Sequence, residues 1–220
     1  MNVSWAMLTP TLVYSIKPEA VGCLQTLALV GEPPSAHQIS AWVGVVNLIN
    51  LLGFSENTGP VCVSTVSAGS NPRNIGFPPT DKIWLVEPFN HDKLAPFGAS
   101  AELLVEGPSL ARGYLSNNEQ TTKSFIKRPL WSQKLQSLRG GLFYKTGDIV
   151  RYADDGSLVY LGRKDLRVKI RGMRIEIGEV SLIHDFDSYH MYSMVLSTLF
   201  QLLYRVAPTR PFNFLSDSRS

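Results

Sequence analysis

Hydrophobic positions change their period along this chain. Residues 25–30 form a short apolar run that ends at Gly31. Ser35 then offers an N-cap to a segment in which Ile39, Trp42 and Val43 fall at helical spacing. Residues 45–52 are almost continuously apolar, the pattern of a strand buried on both faces of a parallel sheet. Strand, helix and strand are therefore predicted in succession, closing at Gly53.

From Asn71 the texture shifts. Pro72, Pro78, Pro79, Pro88 and Pro96 cut the chain into pieces too short to continue a helix. Residues 83–86 and 102–105 have the β-rich content of paired strands, with Phe97-Gly98 as turn material between them. The polar stretch from Asn117 to Thr122 caps a short helix running toward Phe125. Asp154-Asp155-Gly156 is a hairpin turn between strands at 149–152 and 158–160. Farther on, residues 191–204 are largely apolar but too short to span a bilayer, and a helix with a buried or interfacial face is expected there. Residues 208–220 read as a polar, poorly ordered tail, and no internal repeat is visible.

Charge and cysteine content narrow the partners. The 220 residues carry 21 basic and 18 acidic side chains, a formal net charge of +3, scattered without the basic stripe that nucleic acid demands. Cys23 and Cys62 form no CxxC pair and have no neighbouring histidine cluster, so neither a disulfide framework nor a zinc site is indicated. A reducing, cytoplasmic setting fits, and no window reaches the roughly 20 apolar residues of a membrane span.

Two blocks carry the chemistry: Tyr144-Lys145-Thr146-Gly147-Asp148, and Gly162-Arg163-Lys164-Asp165 followed by the stretch from Val168 to Glu179. Together they closely resemble the nucleotide-binding and hinge motifs of adenylate-forming enzymes, and in their wording the adenylation domains of nonribosomal peptide synthetases. Ala101 to Gly107 and Ala111-Arg112-Gly113-Tyr114-Leu115 resemble that family's GELxIxG and ARGYL segments. The likeness runs from about Ser4 to Glu179. It implies an α/β chain with a partial adenylate-forming fold: a parallel-sheet α/β core over residues 1–70 and a β-rich, distorted-barrel subdomain over 71–163. The hinge and start of a C-terminal lid then occupy 164–179, and a divergent helix and tail occupy 180–220.

The resemblance assigns roles residue by residue. Asp148 accepts both ribose hydroxyls through paired, charge-assisted hydrogen bonds. Taken alone, it could as well cap a turn. Tyr160 packs against the nucleoside and Arg163 reaches the ribose or phosphate, roles that suit an aromatic and a guanidinium. Without the motif, the two read as a strand residue and a solvated charge. Asp165 is the hinge about which the lid rotates, and Lys164 beside it reads as surface charge. Arg167 stands where the family commonly has Gln.

Upstream, Asn50-Leu51-Leu52-Gly53-Phe54-Ser55-Glu56 resembles the NAYGPTE motif, keeping Asn50, Gly53, Ser55 and Glu56. There a hydroxyl contacts the α-phosphate and the glutamate holds magnesium, so Glu56 is the candidate Mg²⁺ ligand. Its alternative is an exposed loop acid. Leu52 and Phe54 replace Tyr and Pro, which removes the ring that lies against adenine. Weaker ATP binding is expected, by on the order of 1–3 kcal/mol or one to two decades. Met7, Ala28, Val30, Leu51, Gly59 and Pro60 fall where the family lines its amino-acid pocket, and ordinary core packing would place the same residue types.

The implied function is amino-acid activation, ATP plus amino acid giving aminoacyl-AMP and pyrophosphate. Loading onto the phosphopantetheine of a peptidyl carrier domain follows, in a parent synthetase that also holds condensation domains. The family's phosphate loop and catalytic lid lysine are not found in these residues, so no catalytic residue is assigned and the chain alone is expected not to turn over. An acyl-CoA ligase, or a non-catalytic nucleotide-binding or interaction remnant, are the alternatives.

Overall fold

The computed structural model describes residues 2–134, 141–165, 167–170 and 173–176, with backbone alone for Lys134 and the last two stretches. The expectations placed on residues 180–220 lie outside the described residues. The architecture below belongs to the unit Met1–Ile175, apart from Glu176, which ends the last described strand.

The first sheet is built from β1 (Trp5–Leu8), β2 (Thr26–Val30), β3 (Asn47–Leu52) and β4 (Cys62–Val66), in that order across the sheet. The first three strands run parallel: Ala28 pairs with Met7 on one side and Ile49 on the other. β4 turns back antiparallel to β3. Helix α1 (Pro10–Val13) starts where the Thr9 side chain accepts the Leu12 N–H, with proline preset for the first turn. Helix α2 (Ala36–Trp42) begins at Ser35 as expected, and Gln38 reaches back to the Ser35 N–H to complete a capping box. Together α1 and α2 cover one sheet face, burying Val13, Leu27, Leu29, Ile39, Trp42 and Leu48 in a common cluster. β3 is less uniformly buried than its apolar run suggests, because Asn47 is exposed and the buried Asn50 faces polar company.

The second sheet is antiparallel throughout. Its strands are β5 (Asn74–Gly76), β6 (Lys82–Glu87), β7 (Asn90–Leu94), β8 (Ala101–Glu106), β9 (Phe125–Lys127), β10 (Leu142–Tyr152) and β11 (Leu158–Arg163). Their order is β5-β11-β10-β8-β6-β7, with β9 also on β10. This is an open path; among the described residues the end strands do not pair, so the expected distorted barrel takes the form of an open sheet. The predicted partners 83–86 and 102–105 lie in β6 and β8, with Ile83 opposite Val105. β7 between them went unpredicted, since Asn90-His91-Asp92-Lys93 carries no apolar alternation. Helix α3 (Asn118–Ser124) is capped by Asn117, whose side chain accepts the Gln120 N–H. A two-stranded sheet of β12 (Arg167–Ile170) and β13 (Met173–Glu176) follows.

β8 is the axis of this sheet, buried at all six positions. Ala101, Leu103 and Val105 pack with Val61, Cys62, Ile75 and Leu158, while Leu104 turns the other way toward Val86 and Phe143. Each leucine so buried stabilises the fold by roughly 1.5–3 kcal/mol. The two sheets are stitched at Val63 and Phe77, which exchange backbone hydrogen bonds of 2.8 and 3.0 Å. Gly76 makes that crossing possible. Its φ is +74°, and a Cβ there would lie 1.9 Å from the Val63 carbonyl oxygen.

Gly76→Ala is expected to lower stability by about 2–4 kcal/mol, read as a drop in the urea midpoint at unchanged slope. Burial pushes the Cys62 thiol up to about 12, whereas Cys23 is exposed. A thiol-reactive disulfide reagent at pH 8 should therefore label Cys23 in the native chain and reach Cys62 only after unfolding.

Candidate functional site

β10 does not run straight. Its register against β8 breaks between Lys145 and Ile149, and against β11 between Ile149 and Val150. The bulge holds Thr146, Gly147 and Asp148. Gly147 has φ +74°, and a Cβ on it would meet an Arg163 nitrogen at 2.7 Å. Glycine is thus required by conformation and by crowding together. The Thr146 hydroxyl donates to the Leu103 carbonyl at 2.8 Å and accepts the Asp148 N–H at 2.9 Å, which ties the bulge down.

The bulge delivers Asp148 opposite Arg163 on β11. Arg163 Nη1 donates to Asp148 Oδ1 at 2.7 Å, while Nε and Nη2 donate to the two oxygens of Asp165 at 2.7 and 2.8 Å. One guanidinium therefore bridges two carboxylates. Burial opposes its charge, but the hydrogen bonds to Asp165 and the fields of Asp148 and Asp165 outweigh that, holding Arg163 more firmly protonated than usual. Burial, reinforced by the Asp148 charge, pushes the Tyr160 phenol up to about 12, so it stays a neutral donor at physiological pH.

These groups open onto a cleft of about 380 Å³. On one side lie the carboxyl ends of β2 and β3, with Gly31, Glu32, Pro33 and Asn50 to Gly53; on the other lie Asp148, Tyr160, Arg163 and Asp165. Crevices at the carboxyl ends of parallel strands are where α/β sheets bind ligands. Asn50 is buried, and its amide donates to the Asn74 carbonyl at 3.3 Å.

Beneath the cleft, Glu102 of β8 organises the backbone. Its Oε1 accepts the Gly147 N–H at 3.2 Å and its Oε2 accepts Lys164 Nζ at 2.5 Å. Lys164 lies at the surface as expected, and its ammonium is paired there with a glutamate whose side chain is 1% exposed.

The structure thus gathers Asn50, Leu51, Asp148, Tyr160, Arg163 and Asp165 around one cleft. Leu51, expected in the amino-acid pocket, shares it. Met7, Ala28, Val30, Gly59 and Pro60 are not among its lining residues: Met7 is exposed on β1, Ala28 is buried within the first sheet, and Gly59 and Pro60 lie exposed in the loop before β4. Ser55 is likewise exposed outside the lining. Glu56 is buried, and accepts the Tyr114 hydroxyl at 2.6 Å. Phe54 turns from the cleft to pack on Tyr144, ring centres 5.1 Å apart, so it does not replace the missing ring. Glu32, Pro33, Pro72, Arg73 and Ile75 line the cleft without having been anticipated. The loop after β2 was findable from the crevice rule. Arg73 was not, because it is placed by its carbonyl accepting the Tyr160 N–H, where the chain entering β5 meets the distant strand β11.

The site is thus a cleft at the ends of parallel strands, faced by an antiparallel sheet that presents an aspartate and an arginine. Residues 1–115 match the family model described as AMP-binding enzyme. The chain belongs to that family, and within it corresponds to part of an adenylation domain of the nonribosomal peptide synthetase type. It is 48% identical over 189 residues to the nonribosomal peptide synthetase lenA of Aspergillus lentulus, covering 82% of this chain and 4% of that protein. It is also 48% identical over 185 residues to the N-benzoylphenylalaninol synthetase apmA of Penicillium brevicompactum, covering 82% of this chain and 8% of that one. Among solved structures, PA1221, a synthetase protein containing adenylation and PCP domains, superposes with a TM-score of 0.70 at 26% identity, over 82% of this chain and 32% of its own. The Vibrio cholerae adenylation domain AlmE in complex with glycyl-adenosine-5'-phosphate superposes with a TM-score of 0.67 at 26% identity, over 82% and 35%. Among the described residues no helix is long and apolar enough to cross a membrane.

Arg163→Ala removes the cation between two carboxylates, one of them buried, and should cost about 3 kcal/mol in urea unfolding. Arg163→Lys should recover only part of that, since an ammonium cannot serve both carboxylates in the same fork.

Proposed function

We propose that the cleft seats the adenosine part of an adenylate, and that the parent enzyme joins ATP to an amino acid as aminoacyl-AMP with release of pyrophosphate. The acyl group then passes to the phosphopantetheine thiol of a peptidyl carrier domain, in a parent synthetase that also holds condensation domains. The observation that carries this reading is the Asp148–Arg163 pair at the mouth of the cleft, held there by the β10 bulge. Support comes from the AlmE neighbour, whose complex holds an aminoacyl adenylate, and from PA1221, which carries its adenylation and carrier domains together. The peptide synthetase relatives favour an amino acid over a fatty or aryl acid as the substrate.

In this reading the Asp148 carboxylate accepts the ribose hydroxyls and Tyr160 packs on the nucleoside. Arg163 holds the Asp148 carboxylate through its Nη1 hydrogen bond and lends positive charge toward the phosphate. Asn50 and Leu51 line the opposite wall, and Asp165 is the hinge at which the lid portion turns. Ser55 is assigned to the α-phosphate, and Met7, Ala28, Val30, Gly59 and Pro60 to an amino-acid pocket, on the strength of the motif alone.

The Glu56 carboxylate is buried against Tyr114, and among the described residues no cluster of three acidic, histidine or cysteine side chains gathers around it. Magnesium takes few protein carboxylates beside the phosphates and water of its nucleotide, so Glu56 is assigned to it as a single carboxylate ligand on the strength of the motif alone. The cations lining the cleft are Arg73 and Arg163.

Calorimetry of the 220-residue chain with AMP and with its 2′,3′-dideoxy analogue tests the reading. AMP should bind at least about tenfold more tightly, since charge-assisted hydrogen bonds contribute about 1.5–3 kcal/mol. Asp148→Asn should abolish that preference. Absence of saturable AMP binding, or a preference that survives in Asp148→Asn, would sink the assignment.

A further inference from the structure

We propose that Glu102 is a positioning residue: by anchoring Lys164 and the Gly147 N–H on one buried carboxylate, it holds the bulge that carries Asp148 in the setting the nucleotide seat uses. The inference rests on the seat assigned above, and it names two residues to which that reading gives no role.

The two oxygens of Glu102 divide their work. Oε1 accepts the N–H of Gly147, the residue that sets Asp148 in place, and Oε2 takes Lys164 Nζ, from the residue just before Asp165. Lys164 is held at two further points: its backbone N–H donates to the Gly147 carbonyl at 2.9 Å, and its ammonium donates to the Pro88 carbonyl at 3.2 Å. The bulge and the last residue before the hinge are thus joined twice, once through backbone and once through a shared carboxylate.

Energetics make the joint stiff. Glu102 sits on β8, between β6 and β10, with its side chain 1% exposed; the Lys164 side chain is 27% exposed. A carboxylate so deep is costly to leave without its cation, so the arrangement that keeps Lys164 on Glu102 dominates. Without the anchor, Lys164 and the Gly147 bulge bonded to it lose their common partner, and the setting of Asp148 loosens with them.

The test uses the full chain and amide hydrogen exchange across residues 162–165, with β2 as the internal reference. Lys164→Met should speed exchange of residues 162–165 by at least about tenfold while leaving β2 unchanged. Glu102→Gln should do the same, the double variant should add nothing further, and Lys164→Arg should restore protection. The preference for AMP over its dideoxy analogue should fall in Lys164→Met and return in Lys164→Arg. Unchanged exchange in Lys164→Met, faster exchange throughout the chain, or effects that add in the double variant would each overturn the anchor. If Glu102→Gln fails to fold, the Lys164→Met and Lys164→Arg pair decides. Exchange needs no nucleotide, so an intact anchor in a chain that binds no AMP would overturn the functional reading and not this one.

Discussion

The structure turns on a three-residue bulge in β10. A regular strand would alternate its side chains without interruption and could not present Asp148 to Arg163 while the flanking residues stay in register with β8. Gly147 absorbs the irregularity with a positive φ, and the absence of a side chain leaves room for the Arg163 guanidinium. Thr146 then closes the bulge with two hydrogen bonds. Each residue of Thr-Gly-Asp has a separate physical task. Remove the glycine, and the carboxylate and guanidinium that define the cleft lose the geometry that pairs them.

Around that bulge the protein accepts an unusual burden, a central strand that buries two glutamates. Glu102 and Glu106 both lie within β8 at less than 4% exposure. Glu106 accepts the Trp84 indole N–H at 3.0 Å, and Glu102 accepts Gly147 and Lys164. Buried carboxylates specify their surroundings more than they stabilise them, because an alternative packing that strands one of them is heavily penalised. Trp84, with Trp131 and Phe143, is set by the outer glutamate, and the nucleotide-side loop by the inner one. The polar positions of β8 therefore connect the aromatic core at one end of the sheet to the cleft at the other.

Much of this was legible along the chain, for reasons that can be named. Ser35 and Gln38 announce a helix because capping is local. Asp154-Asp155-Gly156 announces a hairpin, and that hairpin sets Asp148 opposite Arg163. What escaped depends on distance. β7 lacks an apolar pattern because one side of it is solvent, and four-residue β1 is too short to show a period. The pairing of Lys164 escaped because nothing within four residues of it reveals Glu102, which lies 62 positions away. Phe54 sat in the right motif to face a base, yet it found a better partner in Tyr144.

The amino-acid sequence by itself determined the class of protein. Its order of apolar runs and turn residues led to a parallel core followed by a β-rich subdomain, and its motif wording, by resemblance, singled out Asp148 and Arg163, which the structure pairs at one cleft. Those signals are local, carried by backbone propensity, capping and the spacing of neighbours on one hairpin. Tertiary structure alone decided which motif residues reach the cleft. Asn50, Leu51, Tyr160 and Asp165 line it; Glu56 turns inward to Tyr114, and Arg73 enters from a loop no motif marked. The physical reason is that a side chain's direction follows from strand register and from what it can pair with when buried, and both are set by residues far away in the chain.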